Sequence, residues 1–139
     1  MRVYARIMIS ECYCSSIRTA TRKMTALYDH LLEPVGVNLA QFSMMRRISR
    51  AQPVSLTELG RLCELERSTV GRNVKVLERM GLTVTDQGND QREAVVSLSR
   101  EGWRVLTDGA VLWDQAQARI ETLIGRDVAE GLTRLADVL

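Results

Sequence analysis

Residues 68–82 read STVGRNVKVLERMGL. On a helix advancing about 100° per residue, Val70, Val74 and Leu77 fall within about 60° of one another and form an apolar stripe. Ser68, Arg72, Lys75 and Arg79 lie on the opposite side, and Thr69, Asn73 and Val76 flank the stripe. A face with three cations, a hydroxyl and almost no acid suits a phosphate-lined groove. Arg can bind guanine through two hydrogen bonds, Asn can bind adenine, and Lys and Ser can hold phosphates. On an isolated helix the same face is equally a solvated charged surface, so the flanking segments decide.

Upstream, Ser55 with Glu58 gives a capping-box pattern that opens a short helix, LTELGRLCEL, with Leu56, Leu59 and Cys63 on one side. A break at Glu64-Leu65-Glu66 separates it from the cationic helix. Downstream, Gly81 closes that helix, and LTVT and AVVSLS are β-like runs with Gly88 and Asn89 between them, which reads as a hairpin. Asp90-Gln91-Arg92 sits just before the second strand. An Arg on a protruding loop can enter the minor groove, where a narrow groove concentrates negative potential. Asp90 would orient Arg92 or pair with Arg72. The alternative is a surface ion pair worth under about 1 kcal/mol.

Further out, residues from about 10 to 33 read as a helix, with Ile17, Ala20, Met24, Leu27 and Leu31 at spacings of three and four. Pro34 and Gly36 stop it. Asn38 with Gln41 caps a second helix, whose expected buried stripe is Leu39, Phe42, Met45 and Ile48. From Arg100 onward the chain is helical again, with Trp103, Leu106, Ala110, Trp113, Ala116 and Ile120 on the apolar side and an interruption at Gly125. The order is α-α-α-α-ββ-α-α: a mainly α fold with a small β-hairpin wing, the layout of a winged helix-turn-helix.

The composition agrees. At 139 residues the chain suits one domain, 1–139, and 45% hydrophobic with 26% charged residues is ordinary for a soluble globular protein. Two Trp, three Tyr and one Phe argue against an all-β barrel. No apolar run approaches the roughly 18 residues of a membrane span, and Ile7-Met8-Ile9 is too short for a secretory signal. Three cysteines, an odd count, argue against a secreted disulfide framework, so the expected compartment is the reducing cytoplasm. The net charge of +2 leaves a polyanionic partner open and makes the local concentration of charge the question.

The motifs STVGRNVKVLERMGL and DQREAVVSLSREG resemble the MarR family of bacterial winged-helix regulators. The second matches an Asp-x-Arg, Val-x-Leu-Thr/Ser, Gly pattern at Asp90, Arg92, Val96, Leu98, Ser99 and Gly102. LLEPVGVNLAQFSMM is similar to the family's join between its first two helices. The resemblance implies a homodimer joined through residues of about 10–35 and 100–139, around a winged DNA-binding region of about 38–99. It implies double-stranded, pseudo-palindromic DNA as partner, with the fourth helix in the major groove and the wing in the minor groove. It also implies repression, relieved by a small aromatic ligand or by thiol oxidation. On that reading Arg72, Asn73, Ser68 and Thr69 approach bases, Lys75, Arg79 and Arg67 contact phosphate, and Arg92, supported by Asp90, enters the minor groove. The wing departs from the family at Thr85, where many members carry a basic residue.

CYCSSIRTATR, residues 12–22, leaves several readings open. Structural zinc wants four Cys/His ligands, and the chain has three Cys and His30, which reads as a surface residue. Cys12 and Cys14 on one helix point about 200° apart, which disfavours a disulfide. Cys63 reads as a small core residue. The spacing from Cys14 through Arg22, Met24, Thr25 and Tyr28 resembles the organic-hydroperoxide-sensing branch of the family, which implies an oxidisable Cys14 held by interface tyrosines, Tyr28 among them. Arg18 and Leu39 stand where that branch has tyrosines. Arg18, one turn from Cys14, could favour its thiolate. The other readings are inert packing cysteines and a ligand-responsive regulator whose cysteines line a cleft.

Two rival functions compete with this reading. An enzyme has little to work with: no Gly-rich phosphate loop, no metal cluster and no Ser-His-Asp set, and hence no cofactor motif. A winged helix that binds a protein instead of specific DNA need not keep Arg72, Lys75 and Arg79 on its fourth helix.

Overall fold

The computed structural model describes residues 12–87 and 93–139. Helix α1 spans Tyr13–Leu32, followed by a 3-10 turn at Glu33–Val35. Helix α2 spans Leu39–Ala51, strand β1 Val54–Ser55, α3 Leu56–Cys63 and α4 Arg67–Arg79. Strands β2 (Thr83–Gln87) and β3 (Ala94–Leu98) follow, then the long α5 (Arg100–Ile124) and α6 (Arg126–Val138). The Asn38–Gln41 box forms as expected, and of the Ser55–Glu58 box only the Ser55 half forms, the Glu58 carboxylate pairing with Arg61 instead. The Asn38 side chain accepts from the Gln41 backbone at 2.9 Å and the Gln41 side chain accepts from the Asn38 backbone at 3.0 Å. Ser55 Oγ accepts from the Glu58 backbone at 3.1 Å.

The wing is one strand larger than the hairpin expected. The sheet has three strands in the order β1-β3-β2. In the outer pair Thr83 faces Leu98 and Gln87 faces Ala94, while Val54 and Ser55 of β1 pair with Val96 and Val95. A two-residue strand is too short to show alternation, so only its partner β3 gave a sequence signal.

The winged region is built on Leu32, Phe42, Met45, Ile48, Leu59, Val70, Leu77 and Val96, all fully buried. A second, smaller cluster of Tyr28, Ala116 and Ile120 joins α1 to α5, with Met24, Leu27 and Leu31 packed against it. The α1 stripe is therefore covered only in its lower half: Ile17 and Ala20 are exposed. Leu39 is half-buried and joins the second cluster rather than the α2 stripe.

The buried edge of α5 also differs from the sequence reading. It runs through Gly102, Val105, Gly109, Ala116 and Ile120, whereas Trp103 and Ala110 are exposed. Two glycines are the reason. A Cβ on Gly102 would stand 2.1 Å from the Leu82 carbonyl oxygen, and one on Gly109 would stand 2.6 Å from the Phe42 ring. The helix presses its glycine edge onto the winged region, so the stripe read from side-chain size falls one residue off at Trp103 and Ala110, while Ala116 and Ile120 are buried as expected and Leu106 and Trp113 pack against the core.

Candidate nucleic-acid interface and regulatory sites

Helix α4 is held by Val70, Val74 and Leu77, which are 0%, 3% and 1% exposed. This fixes which side faces out. Arg67, Ser68, Arg72, Lys75 and Arg79 are all exposed, and Thr69 is half-buried. Arg72 Nη2 donates to Thr69 Oγ1 at 3.3 Å, which steadies the guanidinium along the helix. Asn73 is exposed but sits on the flank, lining a shallow cleft of about 170 Å³ with Asn38, Gln41, Met44 and Val76. Asp90 and Arg92 lie outside the described residues, so their expected roles in the minor groove rest on sequence.

The turn from α3 into α4 is tight. Glu64 closes α3 with φ 55°, a left-handed conformation, and Leu65 N donates to Gly60 O at 2.9 Å. At the other end Gly81, φ 78°, lets the chain leave α4. Ser99 then joins three elements. Its hydroxyl accepts from the Gly102 backbone at 3.0 Å, capping α5, and donates to the Gly81 carbonyl at 2.5 Å. The Leu-Ser-x-x-Gly motif read from sequence is this junction.

Two groups at the interface were not anticipated. Glu93, at the root of the wing, accepts through Oε1 from the Thr57 amide at 3.1 Å and the Thr57 hydroxyl at 2.6 Å. The same oxygen lies 3.7 Å from Arg67 Nε. Thr57's hydroxyl and amide, followed by Arg67, hold the Glu93 carboxyl below the usual glutamate range. Thirty-six residues separate Glu93 from Thr57, so no local pattern could reveal the pair.

The second unanticipated group joins the two cores. The Arg46 guanidinium lies 4.2 Å from the Trp113 ring centroid, and Trp113 in turn stands 6.2 Å from the Tyr28 ring. Burial and nearby Arg50 lower the Arg46 pKa, and burial raises that of Tyr28. Beside this stack is a cleft of about 210 Å³ lined by Phe42, Arg46, Ser49, Arg50, Trp113 and Asp114. Asp29 of α1 accepts from the Leu39 backbone at 2.7 Å and so caps α2 from across the domain.

The cysteines fall in different surroundings. Cys12 is the N-cap of α1, with extended backbone (φ −70°, ψ 125°), so Cys12 and Cys14 do not share a helix. The 200° separation expected between them does not apply. The thiol makes no capping hydrogen bond, but the Ser15 and Cys14 backbone amides beside it lower the Cys12 thiol pKa. Cys14 is exposed on the first turn. Tyr28 lies about 21 Å further along α1 by helical rise, beyond reach of Cys14 within one protomer. Cys63 is half-buried against Met44, at 3.9 Å between sulfurs, and burial pushes its thiol pKa up. His30 is exposed, 3.6 Å from Glu33.

The sequence model of the MarR family matches residues 35–93, which run from the turn after α1 to the root of the wing. The transcriptional regulator MosR of M. tuberculosis, solved in complex with DNA, is 31% identical, with a TM-score of 0.80 over 92% of this chain and 96% of that one. The chain belongs to the MarR family. An uncharacterised HTH-type regulator of Bacillus subtilis, YwoH, is 31% identical over 85 residues, 61% of this chain, and the match spans 62% of that relative's length. The repressor CouR, bound to a 23-mer DNA duplex, is 22% identical with a TM-score of 0.85 over 94% of this chain, a likeness of fold. The MarR motifs thus map onto definite parts here: STVGRNVKVLERMGL forms α4 and the turn after it, and Ser99 with Gly102 forms the junction at the start of α5.

Proposed function

We propose that this MarR-family chain is a transcriptional regulator that binds double-stranded DNA as a homodimer and represses the genes it controls. The observation that carries this is the outward face of α4, where Arg72, Lys75 and Arg79 stand clear of a stripe of buried valine and leucine. Arg72, Ser68 and Thr69 approach base edges, Asn73 approaches them from the flank, and Lys75, Arg79 and Arg67 serve phosphates. Arg92, oriented by Asp90, enters the minor groove. Two recognition helices related by the dimer axis read half-sites about 10 bp apart, centre to centre. The relatives are regulators rather than enzymes, and no catalytic step is assigned. The site of action is the cytoplasm, where the DNA is.

Dimerisation through the terminal helices is supported by apolar side chains with no cover in the protomer. Ile17 of α1, Leu123 of α5 and Val128, Leu132 and Val138 of α6 are all exposed.

Two release signals are consistent with the protomer. The cleft beside the Arg46–Trp113 stack combines two guanidinium groups with an aromatic wall, which suits a small aromatic acid. Thiol oxidation by an organic hydroperoxide is the other. Here the lowered pKa directs attention to Cys12 beside Cys14, with Arg18 exposed on the same helix, whereas Tyr28, expected at the interface, is buried against Ala116 and Ile120 within the protomer.

The test is binding of the purified protein to its own upstream duplex across a salt series, with and without organic hydroperoxide, on wild type, Cys12→Ser and Cys14→Ser. Linear loss of log affinity with log salt is expected. Salt-independent association would favour a winged helix that binds protein. Release by peroxide that either serine variant blocks assigns the sensor, and indifference to peroxide leaves the aromatic cleft. Arg92→Ala should reduce the salt slope by about one unit. An unchanged slope would remove Arg92 from the phosphate contacts.

A further inference from the structure

Proteins hold DNA phosphates with backbone amides at helix N-termini, hydroxyls and guanidinium groups. All three converge at the start of α3: the Thr57 amide, the Thr57 hydroxyl and Arg67, the first residue of the recognition helix. What they hold is one of the protein's own carboxylates. Glu93 Oε1 lies 3.1 Å from the Thr57 nitrogen, 2.6 Å from its hydroxyl and 3.7 Å from Arg67 Nε. Ser55 already serves the Glu58 amide of the same first turn. Glu93 is anchored by two hydrogen bonds on the α3 side, and the same oxygen faces Arg67, whose side chain is 62% exposed.

We propose that Glu93 is a built-in competitor for DNA phosphate, which holds Arg67 off the DNA backbone and thereby sets the phosphate-dependent part of the affinity. This rests on the DNA-binding reading above. The Thr57 bonds give the carboxylate a fixed position independent of Arg67, so it does not follow the arginine toward DNA. A phosphate that takes up Arg67 must therefore draw it away from a carboxylate that stays behind. The exposed ion pair is weak, so the contact tunes binding and does not block it.

The test uses Glu93→Gln, which keeps an acceptor for Thr57 and removes the charge, together with Arg67→Ala and the double variant. Affinity for the protein's own upstream duplex and for an unrelated duplex is measured across salt, and thermal melting reports folding. Glu93→Gln is expected to bind both duplexes more tightly, by up to roughly fivefold at 0.1 M salt, the ceiling set by a weak exposed pair, with a salt slope steeper by up to about one unit, the signature of one more phosphate contact. In the double variant that gain disappears, because Arg67 is what was released. Three results would overturn the proposal: an unchanged slope in Glu93→Gln, an equal gain when Arg67 is absent, or weaker binding by a Glu93→Gln protein that melts like wild type. Loss of DNA binding in wild type itself would defeat the DNA-binding reading, and the Glu93 assignment with it.

Discussion

Thr83 is 2% exposed, and its hydroxyl has no hydrogen-bond partner among the described residues. Leaving a buried hydroxyl unpaired costs about 1–3 kcal/mol. Thr83→Val keeps the shape and removes that cost, so the variant should be more stable by about 1 kcal/mol, read from the denaturant midpoint at unchanged m-value. A less stable variant would mean the hydroxyl is satisfied in solution. Cys12 makes a different prediction at the same scale. Its lowered pKa means a larger thiolate fraction at pH 7 than an ordinary thiol has, and Cys63, raised by burial, has less. Alkylation followed by mass spectrometry across pH should therefore modify Cys12 well before Cys63, with a midpoint below 9.0 for Cys12. Reversal of that order would refute the N-cap assignment. Glu93 adds a pH dependence of stability. Its folded pKa lies below the ordinary 4.5, so its contribution is present above that value and is lost as pH falls through the folded pKa. A melting difference between wild type and Glu93→Gln should shrink toward zero in acid.

At the scale of elements, the sequence spoke clearly where periodicity and capping were the cause. The α4 stripe, the Asn38–Gln41 box and the Ser55 cap are local patterns, and each forms as read. What it could not show depends on close approach or on distant partners. Strand β1 exists only because β3 pairs with it. The face of α5 is set by glycines, which carry no apolar signal. Glu93 and Asp29 each serve a backbone amide of another element. The start of α1 was misplaced because Cys12 looks like any helical residue until its backbone turns out to be extended. Gly102 gives the sharpest test at this scale. A methyl group there collides with the Leu82 carbonyl, a backbone atom that cannot rotate away. Gly102→Ala should cost upward of about 3 kcal/mol, seen as a large fall in melting temperature and poor soluble yield. A mild effect would mean that α5 can lift from the winged region.

The whole molecule is two packed units sharing a seam. The winged core and the α1–α5 cluster meet at Trp113, which packs against both. Glutamate in place of both Val128 and Leu132, which are 52% and 42% exposed, should convert a dimer to a monomer by light scattering and weaken operator binding. Neither residue is buried in the protomer, so the fold should persist. An unchanged mass would move the interface elsewhere. The candidate site was legible as far as α4 carries it. Its supporting carboxylate and the aromatic seam depend on contacts across the tertiary structure, which no single stretch of sequence displays.

The Ser99 junction fastens the end of α4 to the start of α5, the longest helix among the described residues. That makes it a fulcrum. Helix α4 extends about 20 Å from it at 1.5 Å per residue. A tilt of about 5° in α5 at this point, carried rigidly, sweeps the far tip of α4 through about 2 Å, over half the length of a hydrogen bond. A small rocking of α5, whatever starts it, is therefore magnified at Arg67 and Ser68, and on the proposed reading a displacement of that size decides whether a base edge or a phosphate is still within reach.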